Sequence, residues 1–379
     1  MTDNTEVPVV RTEVASMVDF AFPPGQAPGI LGELLTDRQA EDEGHILIPQ
    51  DAGDRTMQLA SDYAKAADWL WYSSGEVTID EAPLFHERRR LCLSIHVPEA
   101  NELVEAGETV DLSVLVFPTR GVGVATAWID GSPDDPWSRK DALWQMHESR
   151  WDLFEPTRVL RDTLDIERHY PFLAVQLDVD DLEGYRDQNA ERIATWLTGG
   201  YEDESSAHRR KEVSGGLNLS QRSYEQLFMR WTDALALYRV VDPGTYQLTK
   251  LRAAQLFEYC VLTRRLFRSE ARRVARRSRQ VGAQTVPIVA PGWREANRLL
   301  VAFTQAELEL VTAPPVASVE AQRLVDAALA RFGIPELIAD TRASYQLLDQ
   351  RLQWIRAQWL AVIAVVAFVV NAIIAVAKG

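Results

Sequence analysis

PELIADTRASYQLLDQRLQWIRAQWLAVIAVVAFVVNAIIAVA, residues 335–377, decides the architecture. It follows an FGI break at 332–334, and Pro335 suits a first helical turn, where its missing N–H would have no partner anyway. No later Gly or Pro interrupts the run, so the spacing predicts one helix, about 64 Å long. Within 359–377 the only polar side chain is Asn371, and such a stretch spans about 28 Å, close to a bilayer hydrocarbon core. A buried core helix is the alternative, but core helices seldom lack a polar face altogether. Trp354 and Trp359 stand where an interfacial aromatic belt would lie, with Arg351 and Arg356 before the span and Lys378 after it. This bias places the N-terminal side inside. The start, MTDNTEVPVVRTEVAS, has no basic region followed by an apolar one, so no secretory signal is predicted. The expectation is a single-pass protein of the cell membrane, anchored at its C-terminus with the bulk of the chain cytosolic.

The first half of the same helix has its own pattern. From Ile338, residues Thr341, Tyr345, Leu348, Leu352, Ile355 and Trp359 step alternately by three and four, an a/d seam. The seam fits either a coiled coil between copies or packing against the chain's own helices. Within the span, Ala367, Asn371 and Ala375 form a row of small residues four apart, a spacing that permits close helix approach in lipid. Asn371 is about 200° around the helix from the extrapolated seam at Val369 and Ile373, so both faces are used together only in a bundle of several helices. The plainer reading is a tolerated asparagine.

Upstream, residues 1–82 give one clear signal, a helix over 54–74 with Leu59, Tyr63, Ala66 and Leu70 on one stripe. The period then shortens to two: LCLSIHV (91–97), TVDLSVLVF (109–117) and GVGVATAWID (121–130) alternate as strands, with a PTRG turn joining the last two, which predicts an antiparallel meander. A helix over 139–164 and a strand over 171–179 follow. TGGYEDESSAHRRKEVSGG (198–216) lacks periodicity and predicts a mobile loop. SYEQLFMRWTDALALYRVVD (223–242) begins as a strand, with Leu227, Met229 and Trp231 alternating. From 246 onward the pattern is helical over 247–280, 292–312 and 317–331 and in the terminal rod. The fold class is α+β: a mixed α/β cytosolic domain (1–245), a helical domain (246–334), a stalk helix (335–358) and a transmembrane helix (359–377).

Composition narrows the chemistry. A net charge of -15 opposes non-specific nucleic-acid binding. Cys92 and Cys260, far apart and outside any CxxC, suggest neither a disulfide framework nor a zinc knuckle. Cys92 and His96 lie about 13 Å apart along a strand, too far for a dyad. The six histidines form no HExxH, and no GxSxG, P-loop or GxGxxG occurs, so no enzyme is predicted. Two charged groups remain as candidates. Arg264, Arg265, Arg268, Arg272, Arg273, Arg276, Arg277 and Arg279, opposed by Glu270, cover about 220° of a helix. They suit anionic lipid headgroups, a polyphosphate or an acidic partner surface, or a solvated face neutralised by the protein's own acids. Asp178, Asp180, Asp181 and Glu183 follow a strand and could hold a divalent cation, or cap the next helix; Leu182, Glu183 and Asn189 break the EF-hand spacing.

The run ATAWIDGSPDD (125–135), then VLRDTLDIERHYPFLAVQLDV (159–179), then helices and a long stalk entering the membrane, resembles the CorA-like divalent-cation transporters in order and patterning over residues 125–379. That family has two membrane helices with a Gly-Met-Asn signature after the first; this chain has one span and no such tripeptide. The resemblance implies a stalked, symmetric homo-oligomer, and carries no pore or selectivity residue onto a position here. The expected function is a membrane-anchored oligomer with a cytosolic sensing domain, a CorA-like channel or membrane effector. The alternative is a tail-anchored scaffold or regulator that binds a cytosolic protein partner.

Overall fold

The computed structural model describes residues 9–22, 46–48, 52–70, 87–96, 109–131, 165–198, 213, 220, 222–230, 232–239, 242–283, 292–314 and 316–378. They divide into two compact units, Met1–Arg265 with Glu309–Ile334, and Leu266–Leu308 with Pro335–Gly379. The first unit therefore takes in the front half of the helix that follows residue 242.

A mixed eight-stranded sheet organises the first unit. Its strands are β1 (Val9–Ala21), β2 (Ile46–Leu47), β3 (Arg89–His96), β4 (Thr109–Phe117), β5 (Val122–Asp130), β6 (Asp165–Leu177), β7 (Glu225–Arg230) and β8 (Asp233–Arg239), in the order β2-β3-β4-β5-β1-β6-β8-β7. Only β2/β3 and β6/β8 pair in parallel. The expected meander is present as β3-β4-β5, with Val114 opposite Leu91 and Ala125. Gly121, at φ 63, turns the chain between β4 and β5. Gly123 is required for a different reason: a Cβ there would fall 2.4 Å from the Phe20 ring and 2.8 Å from the Leu115 carbonyl.

The central strand β1 carries no strand signal in sequence, because Thr12, Glu13, Ser16 and Asp19 interleave with its apolar residues. All four are buried, since β5 and β6 flank the strand and both sheet faces are covered. One face is apolar apart from the buried Ser16–His169 pair: Val14, Leu112, Val114, Leu173, Val175 and Leu235 pack with residues of α2 (Leu182–Gln188) and α3 (Ala190–Thr198). The opposite face lies under α1 (Asp54–Leu70) and the front of α4 (Pro243–Ala283). There Trp128 lies edge-on to Phe172, Tyr170 and Phe172 meet Phe257 of α4, and Phe332 stacks on Tyr170 and lies edge-on to Phe257, with centroids 5.4 to 6.5 Å apart. Each such fully buried aromatic contributes about 2–3 kcal/mol. The predicted stripe of α1, Leu59, Tyr63, Ala66 and Leu70, is buried throughout.

The strand predicted at 171–179 begins earlier, at Asp165, and 223–242 is a hairpin of β7 and β8. The helix expected over 139–164 lies outside the described residues. Of the loop expected over 198–216, Thr198 closes α3 and Val213 is helical and buried; the rest lies outside the described residues.

The remaining helices are α5 (Gly292–Glu307), extended by a π turn at Leu308–Thr312, α6 (Val319–Arg331) and α7 (Ile334–Lys378). Ser318 caps α6 by accepting from the Ala321 N–H at 3.0 Å, and Gly333 ends it in the left-handed region at φ 65. In the second unit Phe303 of α5 packs against Phe267 and against Tyr345 of α7, at centroid distances of 5.5 and 5.2 Å. The α7 seam is buried at Thr341, Tyr345, Leu348 and Leu352. At these four positions the seam packs against the chain's own helices, the second of the two readings, while Ile355 and Trp359 further along it are half-buried.

Candidate functional site

The polar content of the sheet face beneath α4 is the most unusual feature of the first unit. Because β-strand side chains alternate, Arg90, Asp111, Ser113, Thr126, Trp128 and Glu13 all belong to this face through the register of β3, β4, β5 and β1. Helix α4 answers with Lys250 and Glu258, eight residues and about two turns apart, hence on one side of the helix.

Glu258 is the centre of the inner cluster. Arg90 donates to it through Nη2 at 2.7 Å and to Ser113 Oγ through Nη1 at 2.5 Å, while Thr126 Oγ1 donates to the second carboxylate oxygen at 2.6 Å. The Arg90 guanidinium also lies 4.4 Å from the Tyr63 ring centroid. Burial alone would pull this guanidinium down, but the adjacent carboxylate holds it above its ordinary value. Burial and the Glu258 charge together push the Tyr63 hydroxyl well up, so it stays neutral and accepts from Trp128 Nε1 at 3.1 Å.

The outer cluster reaches solvent. Lys250 Nζ donates to Glu13 Oε1 at 2.7 Å and sits 4.4 Å from the Trp128 ring. Arg11 bridges Glu13 and Asp130 at 3.4 and 3.6 Å, and Arg55, at the front of α1, grips Asp111 through Nε and Nη2 at 2.9 and 3.1 Å. Burial alone would raise the Glu13 carboxyl; Lys250, then Arg11, override it and hold the group below its ordinary value. Three cations and three acids thus form a graded layer, with Lys250 and Glu13 as a dry floor and Arg11, Arg55 and Asp130 at a wet rim. Such a layer docks a helix by directional pairs rather than by grease, which fixes its register strongly but leaves it sensitive to the loss of any one partner.

A second recess, of about 20 Å³, lies among β7, β8, α4 and α6. Gln226 Oε1 at this recess is buried without a partner in the described residues, and the space suits one ordered water. Burial raises the neighbouring Glu225 carboxyl against the pull of Arg222.

The residues singled out in sequence are distributed as follows. Asp178, Asp180, Asp181 and Glu183 are exposed, and Asp181 caps α2 by accepting from the Glu183 N–H at 3.0 Å. Among the described residues no group of three or more His, Cys, Asp or Glu is placed to hold a metal ion, and the capping alternative accounts for Asp181. Of the basic cluster, Arg265 is 2% exposed, so a surface role fails for it. Arg264, Arg268, Arg273 and Arg277 are half-buried, with Arg273 donating to the buried Glu270 at 2.7 Å, and Arg272, Arg276 and Arg279 are exposed. Trp359 is half-buried, and Ala367 and Asn371 are exposed; Ala375 continues the same helix. Cys92 is buried and pushed up to about 12, an inert thiol. The two clusters beneath α4 were not legible in sequence, because nothing in a linear pattern pairs Arg90 with Glu258 or Glu13 with Lys250.

The last helix is the second candidate site. It is long and apolar enough to cross a membrane, with a mean hydropathy of 2.3 over its best eighteen-residue window and none of that window buried within the chain. Comparison of the chain with protein-family models, with curated proteins and with solved structures returns no match.

Proposed function

We propose that this chain is an oligomeric membrane protein whose last helix enters the bilayer and whose sheet unit senses a cytosolic ligand or partner, with the bundled spans conducting ions or perturbing the membrane. The observation that carries the reading is the exposed apolar end of α7, continuous with a stalk whose other end is packed into the chain. Leu360, Ile363, Val366, Phe368 and Ile373 are 56 to 74% exposed, a cost in water that hydrocarbon removes. The order of mixed sheet, helices and stalk supports the CorA-like comparison, and the charged layer under α4 supplies a place where a binding event could alter helix docking.

The test has two stages. Alkaline carbonate should leave the full chain in the membrane pellet; release into the supernatant would remove the membrane reading. Reconstituted liposomes should then show an ion flux above empty vesicles that Asn371→Leu diminishes. Detergent-solubilised protein running as a monomer in light scattering would count against assembly.

A second reading, a membrane-held scaffold or regulator, is favoured by the filled stalk seam, which leaves no demand for a second copy at Tyr345, Leu348 or Leu352. On that reading an unrelated anchor replaces 359–377 without loss of function, and the liposomes stay tight.

A further inference from the structure

The second unit places the exposed arginines of α4 beside the start of the apolar span. Within it, Phe303 of α5 contacts Tyr345 of α7, and four residues later Glu307 pairs with Arg342, three residues earlier, so α5 and α7 run antiparallel. Phe267 of α4 also contacts Phe303. If α4 ran alongside α5 in the same direction, the end of α4 at Ala283 and the start of α5 at Gly292 would be about 40 Å apart at 1.5 Å per residue. Nine backbone steps reach at most about 32 Å. Helix α4 therefore runs antiparallel to α5 and parallel to α7, towards the membrane end. Phe303 touches both Phe267 of α4 and Tyr345 of α7, which puts those two residues at about the same level of the two parallel helices.

From that level Arg276 and Arg279 come opposite about residues 354 to 357 of α7, and Arg298 of α5 comes opposite about residue 350. These join Arg351 and Arg356 of α7 itself. All five are exposed, as is Trp354 at 64%. In sequence, the membrane-proximal segments 271–283, 292–298 and 346–358 hold nine arginines against two acids, in a chain whose net charge is -15. The collar lies about 4–15 Å before Leu360, a distance comparable to the headgroup layer plus the reach of an arginine side chain. Nothing in ordinary solubility asks a strongly acidic chain to concentrate its cations there; an anionic bilayer surface does.

We propose that Arg276, Arg279, Arg298 and Arg356 form a collar that binds the headgroups of anionic phospholipid around the base of the stalk. The collar rests on the membrane reading above. It holds α4 and α5 down on the surface through charge and hydrogen bonds to phosphate, for which the guanidinium fork is well shaped. Each arginine at an anionic surface multiplies association about fivefold at low salt, less when screened.

The experiment uses the full chain in nanodiscs of equal phosphatidylglycerol and phosphatidylcholine, with retained lipid counted by native mass spectrometry after extraction. Wild type should retain phosphatidylglycerol about tenfold or more over phosphatidylcholine in low salt. The variant R276Q/R279Q/R298Q/R356Q should fall to within about twofold of parity, whereas Arg323→Gln, an exposed arginine on α6, should keep the preference. Absence of preference in wild type, an undiminished preference in the quadruple variant, or an equal loss in Arg323→Gln overturns the proposal. Equal competition by soluble inositol hexakisphosphate and by phosphatidylglycerol vesicles would overturn it in favour of a general anion site. Loss of oligomer with lipid preference intact would overturn it in favour of a contact between chains. A chain released by carbonate fails the membrane reading itself; one that stays in the pellet without lipid preference fails only the collar.

Discussion

Substituting Glu258→Gln tests whether the layer beneath α4 is held by charge. The change keeps the shape and one carbonyl oxygen, which can still accept from Thr126, but leaves Arg90 charged. The Arg90 side chain is 10% exposed and that of Glu258 1%, so water cannot replace the lost partner without opening the interface. Breaking one side of a buried pair costs about 3–5 kcal/mol. Ser113 Oγ still accepts from Arg90, and the Tyr63 ring still faces the guanidinium, so the lower end, about 3 kcal/mol, is expected. With a urea m-value of about 2–3 kcal/mol/M, the midpoint should fall by about 1–1.5 M. The assay is equilibrium urea unfolding of the full chain in detergent, followed by tryptophan fluorescence, with Trp128 on the affected face. Arg90→Met combined with Glu258→Leu should recover to within about 1.5 kcal/mol of wild type, because apolar replacements remove the charge as well as its partner. A loss below about 1 kcal/mol for Glu258→Gln alone would refute the reasoning, since Arg90 would then be hydrated in the native state.

The α7 seam gives a paired test: Leu348→Ala, at a 1% exposed position, should cost about 2–4 kcal/mol, while its neighbour Leu347→Ala, at 58%, should cost less than about 0.5 by the same unfolding assay. The depressed Glu13 carboxyl binds fewer protons folded than unfolded just below its ordinary value, so its contribution is present above pH about 4.5 and is lost as pH falls through the lower folded value. Glu13→Gln should therefore flatten the acid limb of the stability profile between pH 5 and 3 as well as lowering stability at pH 7, where Lys250 loses its partner; an unchanged acid limb would count against the pair. Asp181→Ala should cost about 1 kcal/mol through loss of the α2 cap, with no change in the response of melting temperature to magnesium or calcium. A response that disappears in this variant would restore the cation reading of the Asp178–Glu183 turn.

How much was legible in the sequence depended on whether a residue's role is local. The strands β3, β4 and β5 alternate cleanly, α1 and α6 carry stripes and stops, and the apolar end of α7 is a composition signal that needs no partner. The central strand β1 was missed because both its faces are covered: the face under α4 takes Glu13 and Asp19, and the other takes Ser16, which hydrogen-bonds His169 at 2.5 Å. Ser16, Asp19 and Glu13 each find a partner at least 149 residues away, His169, Arg168 and Lys250 in turn. The carboxylates of 178–183 were legible as an acidic turn before a helix, and the structure adds that Asp181 is the one that caps it, accepting from the Glu183 N–H.

By itself the sequence determined the fold class, the meander, the succession of helices and the presence of a segment suited to hydrocarbon, since each follows from periodicity or composition over a short window. Only the tertiary structure decided that α7's seam is filled by Phe303 and its own unit, that α4 docks through Lys250 and Glu258, and that Arg265 is interior while Arg276 and Arg279 are exposed. The physical reason is common to all three. The free energy of a charge or an exposed apolar side chain is set by what surrounds it in space, and that neighbour is supplied by a part of the chain that local spacing does not specify.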